Sequence, residues 1–366
     1  LKKSKKKNYN FLCATSLVYF FAKFLTTKFK LRNTNVKKYS FFAAIATICD
    51  QMPLREYNKS IVLEGFENYN QIKFDNIKRL LNPKNKISTS KVSFILGPIL
   101  NSASRLGYSD LPLKLLIENK NTDIDKNINK LLTINEKRKK IQNKTISLLN
   151  NKSEILNNEV IFIFKENINE GLLGIIASKY VDIYNKPCFI LTNSKSIIKC
   201  SSRSINGFDI GNLIYLAIQK KIIIKGGGHA MAAGCSLKKN KINDFKNFIN
   251  IHFNKIFKNF ENIKYYSSEQ NLVSLLSFAK NELQLLEPLG NNNSNPIFLI
   301  RNNKIIKLKI IKDTHLQLII KNKHNKSCVC LAFNVIGTKL GEKLMSLKNE
   351  IDLIVQINNN FIQKNS

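Results

Sequence analysis

From Glu159 onward the apolar residues change their period again and again, and that alternation restricts the chain to few architectures. VIFIF (160–164) is a short buried strand, and GLLGIIASKYVDIY (171–184) carries apolar residues at helical spacing. PCFIL (187–191) is a strand again, followed by SIIKCSS, a polar turn at Asn206-Gly207 and the helix FDIGNLIYLAI. Strands alternating with helices predict an α/β layer around one sheet.

The flanks have a different texture. Phe11 to Phe29 reads as an apolar helix, and Phe41 to Cys49 as a buried one ending at Asp50. Ser109 to Ile117 is a short helix started by Asp110, with Pro112 in its first turn. Thr122 to Leu149 is polar with apolar positions at helical spacing, which predicts a long exposed strut between domains. Asn243 to Phe257 is a further helix. After the turn-rich GNNNSNP (290–296), five short alternating strands with little helix between them (PIFLI, KIIKLKII, HLQLII, SCVCLAFNV, IDLIVQI) predict a small barrel of the OB type.

A chain of 366 residues with 43% hydrophobic content has room for roughly two or three domains with real cores, which excludes wholesale disorder. Its 59 Lys and Arg against 25 Asp and Glu, a formal charge of +34, point to a polyanionic partner. Nucleic acid comes first and an acidic membrane second, although a composition heavy in Lys, Asn and Ile supplies part of that charge without any binding. The apolar run Phe11 to Leu25 is broken by Lys23 and is too short to span a bilayer, so no membrane association is expected. The chain begins with Leu1 rather than Met, and the expectation is that this is not a native N-terminus. Seven cysteines without a C-x-x-C pair fit a reducing, cytoplasmic setting. Cys328 and Cys330 fall on one face of a strand, as core rather than as ligands.

Four segments are too particular to be packing alone. In ATICDQMPL, Asp50 ends an apolar helix, where a carboxylate either caps a turn or binds a metal. In GPILNSASRLG, Arg105 stands among small residues that let a phosphate approach; the other reading is a surface arginine on a loop. In KCSSRSINGFDI, Ser201 and Arg203 share a face if the segment is extended, and a hydroxyl beside a guanidinium makes a phosphate clamp. In KGGGHAMAAGCSL, a tight, partly buried corner is expected, with Gly227 and Gly228 letting backbone N–H groups meet phosphate. His229 is there a donor or proton-transfer group, or a structural histidine.

GGGHAMAAGCSL resembles the glycine-glycine-histidine motif of the DHH-associated domain in DHH-superfamily phosphoesterases. ATICDQMPL, GPILNSASRLG, GLLGIIASKYVDIYNKPCFIL, CSSRSINGFDI and LEPLGNNNSNPIFL resemble, in the same order, motifs of the RecJ family of single-stranded-DNA exonucleases. The resemblance implies four regions: the end of a DHH phosphoesterase domain at 1–110, a helical connector at 111–155, an α/β DHH-associated domain at 156–260, and an OB barrel at 261–366. It implies that Asp50 is a metal-binding and catalytic aspartate, that Arg105 contacts the DNA backbone, and that Ser201 and Arg203 engage a 5′-terminal phosphate. Gly227, Gly228 and the catalytic His229 would face the scissile phosphate. The implied chemistry is stepwise 5′→3′ hydrolysis of single-stranded DNA in repair and recombination, with two Mn²⁺ or Mg²⁺ ions activating water. The implied partners are single-stranded DNA, a single-strand-binding protein and a helicase, with the enzyme itself a cytoplasmic monomer.

The sequence departs from that pattern at several places. Ile168 and Asn169 stand where the family often has Trp-His, Ile99 replaces a common arginine, and Ser104 replaces a glycine before Arg105. No Asp-His-His triplet occurs anywhere, so a fragment of a longer enzyme, inactive by itself, is the expected reading. The alternatives are a DHH-family oligoribonuclease or cyclic-dinucleotide phosphodiesterase, which typically lack the C-terminal barrel, and a non-catalytic single-stranded-DNA-binding relative.

Overall fold

The computed structural model describes residues 11–31, 35–69, 75–81, 87–117, 121–149, 155, 157–257, 265–346 and 350–357. The start of the chain at 1–10 and the last residues of the expected barrel, 358–366, lie outside the described residues. In chain order the principal elements are helices α1 (Ala14–Lys28), α2 (Ser40–Cys49), α3 (Glu56–Tyr69), α4 (Asp75–Leu81), α5 (Gly97–Arg105), α6 (Leu111–Ile117) and α7 (Asn121–Leu148). An α/β region follows: β1 (Ile161–Phe164), α8 (Leu173–Tyr184), β2 (Cys188–Ser194), β3 (Ile197–Arg203), α9 (Ile210–Gln219), β4 (Lys225–His229), β5 (Ala232–Leu237) and α10 (Ile242–Phe257). The last region holds β6 (Ser268–Glu269), α11 (Leu272–Asn281), β7 (Ile297–Ile311), β8 (His315–Lys321), β9 (Ser327–Ala332), α12 (Lys339–Ser346) and β10 (Ile351–Gln356). The fold is therefore mixed α/β, with a helical N-terminal region and two separate sheets.

The chain divides into two compact units. One comprises Leu1–Phe74, Pro83–Ile95 and Ile263–Ser366; the other comprises Asp75–Asn82 and Leu96–Asn262. In the second unit the sheet runs β1-β2-β3-β5-β4, with β1 and β2 parallel and every other pair antiparallel. Its interior strand β2 is buried on both faces through Cys188–Leu191, and so reads as a continuous apolar run. On one face α8 packs Leu173, Ile176, Ala177 and Tyr180 onto Ile161, Cys188 and Ile190. On the other face α9 and α10 bury Phe189, Leu191, Ile198, Cys200, Ala233 and Cys235. A third core, made by Ile99 and Ala103 of α5 with Leu131 and Ile134 of α7, joins the helical part of this unit.

In the first unit α3 crosses α2 so closely that a methyl on Gly65 would stand 2.6 Å from Ala44 Cβ. The second sheet runs β10-β7-β8-β9, with β6 parallel to the start of β7. Here the structure corrects the sequence reading. PIFLI and KIIKLKII are one strand, β7, 15 residues long, whose first half pairs with β10 and whose second half pairs with β8. The polar Arg301-Asn302-Asn303 that divides the two runs in sequence does not interrupt pairing: Asn302 takes a left-handed φ of 55° and Asn303 turns inward, donating to Arg301 O. The segment expected to hold little helix contains α12, whose Leu344 completes the core against α11 and the sheet. Phe298 is core, whereas Phe333 is 57% exposed, edge-on to His315. Cys328 and Cys330 pack against that core with their sulfurs 3.9 Å apart.

Candidate nucleic-acid interface

GPILNSASRLG is not a loop but helix α5, with Pro98 near its start. Its serines turn their hydroxyls back onto the helix, Ser102 Oγ to Ile99 O at 2.6 Å and Ser104 Oγ to Asn101 O at 3.1 Å. Ile99 is buried in the core shared with α7. The helix ends at Arg105, which is half-buried and donates from Nη1 to Gly171 O at 3.0 Å. Gly171 is required there: a methyl on it would stand 2.4 Å from Arg105 O. Asn169 caps the short turn that leads into α8, accepting from Gly171 N at 2.9 Å, and Ile168 is buried.

Ser201 and Arg203 lie two residues apart on β3 and face α8, while their neighbours Cys200 and Ser202 are buried toward the opposite face. A methyl on Gly174, in the first turn of α8, would stand 3.0 Å from Arg203 Nη2 and 3.1 Å from Ser201 Oγ. Hydroxyl and guanidinium thus hang over the N-terminal turn of a 12-residue helix, whose dipole favours an anion at that end. Burial, then the charge of Arg105, lowers the Arg203 pKa, and burial lowers that of Arg105; both guanidiniums remain charged. None of the salt bridges among the described residues includes either arginine. Two cations held within range of each other without a carboxylate form an arrangement that a bound anion relieves.

KGGGH is not a buried corner. It is the edge strand β4, exposed at all five residues, and the corner is the turn at Ala230–Met231. Register explains its composition. Arg203 pairs with Ala232, which pairs with His229; one rung further Ser201 pairs with Gly234, which pairs with Gly227; the next rung is Lys199, Ser236, Lys225. Directly paired residues share a face. Arg203, Ser201 and His229 therefore border a floor of Ala232, Gly234 and Gly227 that carries no side chain beyond a methyl. Gly226 and Gly228 point the other way: methyls there would stand 2.7 Å from Ile214 Cγ2 and 2.3 Å from Ala232 O. Gly227 meets nothing within 4 Å. The backbone of His229 rests on α9, where a methyl on Gly211 would stand 2.8 Å from His229 C. Its Nδ1 accepts from Met231 N at 3.3 Å, which leaves Nε2 as the outward donor of the neutral ring.

Sequence reasoning missed Gly174, Gly234 and Ala232, which shape the pocket and its floor. The signal was present as alternate small residues in AAGCS, a period-two pattern whose partner strand cannot be read locally.

Asp50 belongs to the other compact unit. It is the residue after the last turn of α2, its backbone N–H bonded to Ala46 O at 2.9 Å, and its carboxylate caps no described amide. Although its side chain is exposed, nearby protein keeps part of the solvent from the carboxylate and raises its pKa. No three His, Cys, Asp or Glu among the described residues converge on a metal-binding position. The described residues do not fit a two-ion centre.

Residues 155–255 match the DHHA1 domain and residues 276–366 the RecJ OB domain. The chain is 28% identical over 312 residues to the single-stranded-DNA-specific exonuclease RecJ of Bacillus subtilis, covering 80% of this chain and 38% of that relative. Crystal structures of RecJ from Thermus thermophilus in complex with Mg²⁺ and with Mn²⁺ both align with a TM-score of 0.73, at 21% and 22% identity. Each covers 90% of this chain, which spans 50% and 48% of theirs, and the likeness shows a shared fold. This chain is a partial-length homologue of the RecJ exonucleases, carrying a DHHA1 domain and a RecJ OB domain.

Proposed function

We propose that this chain forms the 5′-end-binding part of a 5′→3′ exonuclease specific for single-stranded DNA, acting in repair and recombination. The observation that carries the reading is the placement of Ser201 and Arg203 over the first turn of α8, with the charge of Arg105 in range and neither arginine in a salt bridge among the described residues. That pocket suits a dianionic terminal phosphate, because Arg203 adds charge-assisted bonds and Ser201 a neutral one. The strand then lies on the bare floor of Gly227, Gly234 and Ala232, with His229 as proton donor or acceptor at its border. Metal-ion hydrolysis with Mn²⁺ or Mg²⁺ belongs to a longer chain that supplies further ligands beside Asp50, and the present chain by itself is inactive in this reading. In this reading the chain divides at 110, 155 and 260, and the domain matches at 155–255 and 276–366 support its last two parts. The C-terminal sheet is read as an OB barrel that holds the trailing strand. The RecJ OB match favours this activity over the barrel-less oligoribonucleases and cyclic-dinucleotide phosphodiesterases. No helix among the described residues is long and apolar enough to cross a membrane. The reading takes the enzyme as a cytoplasmic monomer that meets a single-strand-binding protein and a helicase on DNA.

The test is equilibrium binding of a short single strand, with either a 5′-phosphate or a 5′-hydroxyl, to the chain and to Arg203→Ala in chelator. A hydrogen bond to a charged group contributes about 1.5–3 kcal/mol, so Arg203→Ala loses roughly ten- to a hundredfold at the phosphorylated end. It loses little at the hydroxyl end. Equal losses at both ends would make Arg203 a general backbone contact and end the pocket assignment.

A further inference from the structure

The face that carries Ser201 and Arg203 continues for one more rung, which the terminal pocket does not use. Lys199 pairs with Ser236, and Ser236 pairs with Lys225. Paired residues share a face, and alternation puts all three on the side of Ser201, Gly234 and Gly227. The bare floor thus ends at one side in Arg203 and His229, and at the other in two lysines around a serine.

Ser236 is only 4% exposed. A hydroxyl so deeply placed is nearly always hydrogen-bonded. Every other buried serine and threonine among the described residues has such a bond; in this same sheet Thr192 accepts from Ile168 N and Ser202 donates to Ala233 O. The backbone O of Ser236 accepts from Ile224 N at 2.8 Å, but its Oγ has no hydrogen bond among the described residues. The enclosed side-chain atoms left without a partner there belong to Asn58, Tyr180, Asn295 and Asn303, so the Ser236 hydroxyl is unpaired and still reaches solvent.

Lys199 is half-buried and Lys225 exposed, and neither is in a salt bridge among the described residues. Their backbones stand two strand spacings apart, about 10 Å. Each ammonium rides a flexible four-carbon stem, so both can close on one oxyanion above Ser236. A lysine on an edge strand also discourages pairing with another sheet. That role asks nothing of the serine and leaves its free hydroxyl unexplained.

Spacing says which phosphate suits this rung. Lys199 lies four residues before Arg203 on β3, about 13 Å away along the strand. A nucleotide has twice as many backbone bonds as an amino acid, so one step of a single strand reaches at most about 7 Å. Two steps from a phosphate at Arg203 bring a phosphodiester to the lysines. We propose that Lys199, Ser236 and Lys225 form a second phosphate subsite, which holds the second internucleotide linkage of a strand whose 5′-phosphate lies at Ser201 and Arg203. The inference rests on the 5′-end reading above. It makes the subsite a length gauge, because a strand without a second linkage gains nothing from it.

The experiment is a double-mutant cycle between protein and DNA. A 5′-phosphorylated single strand, 3′-labelled for anisotropy, carries one neutral methylphosphonate at the first, second, third or fourth linkage, and a 5′-hydroxyl strand serves as reference. Each is titrated in chelator against the unaltered chain, Lys225→Gln, the double variant Lys199→Gln/Lys225→Gln, Ser236→Ala and Arg203→Ala. Thermal unfolding is followed by circular dichroism. Neutralising the second linkage weakens the unaltered chain about tenfold, as for loss of a hydrogen bond to a charged group. In Lys225→Gln that penalty shrinks and the log–log salt slope falls by about 0.7, the share of one phosphate on a single strand. In the double variant the penalty vanishes. Ser236→Ala keeps the melting temperature, because its hydroxyl bonds nothing in the fold, yet loses part of the second-linkage effect. An undiminished second-linkage effect in the double variant, coupling at a different linkage, or a loss spread equally over all linkages overturns the subsite. If the double variant does not fold, Ser236→Ala and Lys225→Gln decide: second-linkage effects as large as in the unaltered chain overturn it. Arg203→Ala that keeps its preference for a 5′-phosphate over a 5′-hydroxyl sinks the end-binding reading instead, whichever linkage the lysines couple to.

Discussion

Gly227 and Gly228 are neighbours in one exposed strand, yet the structure assigns them opposite consequences on substitution. Neither has a positive φ, so the backbone accepts alanine at both. At Gly228 the new methyl would lie 2.3 Å from Ala232 O, 2.5 Å from Ala233 Cα and 2.6 Å from Ala233 Cβ. Ordinary carbon contacts begin near 3.5 Å, so about an ångström of movement is needed. The atoms it meets are backbone and Cβ of β5, which no rotamer change can move. Overpacking of this kind costs about 1–3 kcal/mol. At Gly227 no heavy atom lies within 4 Å, and Gly→Ala at a permissive position stabilises by about 0.4–1 kcal/mol through the unfolded chain. The two variants therefore differ in stability by about 1.4–4 kcal/mol. Urea unfolding followed by circular dichroism reads this difference, since the chain has no tryptophan to report it. Binding gives the inverse order of interest: Gly227→Ala, the more stable protein, loses affinity for a 5′-phosphorylated strand because its methyl stands on the floor beside Ser201 across Gly234. A Gly227→Ala chain that binds as tightly as the unaltered one would refute the floor as a surface that DNA approaches. Equal destabilisation by both variants would refute the packing argument itself.

Single-stranded DNA binding by the chain falls steeply with salt, with a log–log slope of about −0.7 per phosphate contacted, and titrations across a salt series check it. Gly171→Ala lowers affinity for the phosphorylated strand along with stability, because a methyl 2.4 Å from Arg105 O must push the end of α5 aside; an affinity equal to that of the unaltered chain contradicts this. Asn291→Ala removes the bond from Asn291 Nδ2 to Gln51 O and lowers stability by about 0.5–1.5 kcal/mol, seen in thermal unfolding, while 5′-phosphate preference stays. Burial raises the Asp50 pKa, so the folded chain holds that proton more tightly than the unfolded one and loses stability as pH rises through the folded value. Asp50→Asn is accordingly the more stable protein at neutral pH, and the advantage vanishes in acid; melting curves at several pH values decide it.

Much of this fold is legible without coordinates wherever burial imposes a single period. The alternation from VIFIF to FDIGNLIYLAI predicts the sheet and its two helical layers because strands and helices there each hide a full apolar face. The C-terminal sheet was less readable for a local reason: Arg301-Asn302-Asn303 looks like a turn, but one left-handed residue and one inward asparagine let the strand continue. GPILNSASRLG left a loop open as one reading because serine and glycine favour turns, whereas in this helix the serines bond back to carbonyls of the preceding turn and their small size suits a close helix contact.

Residue types alone, through hydroxyl, guanidinium, imidazole and glycine, pointed to phosphate at Ser201, Arg203, Arg105 and His229. What they could not determine is who stands beside whom. That Gly227 lies on the rung of Ser201, and His229 on the rung of Arg203, follows from pairing across β5, and strand register depends on residues far apart in sequence. Local chemistry is a property of side chains, but the convergence of cations without a counter-ion is a property of distance, and distance belongs to the tertiary structure.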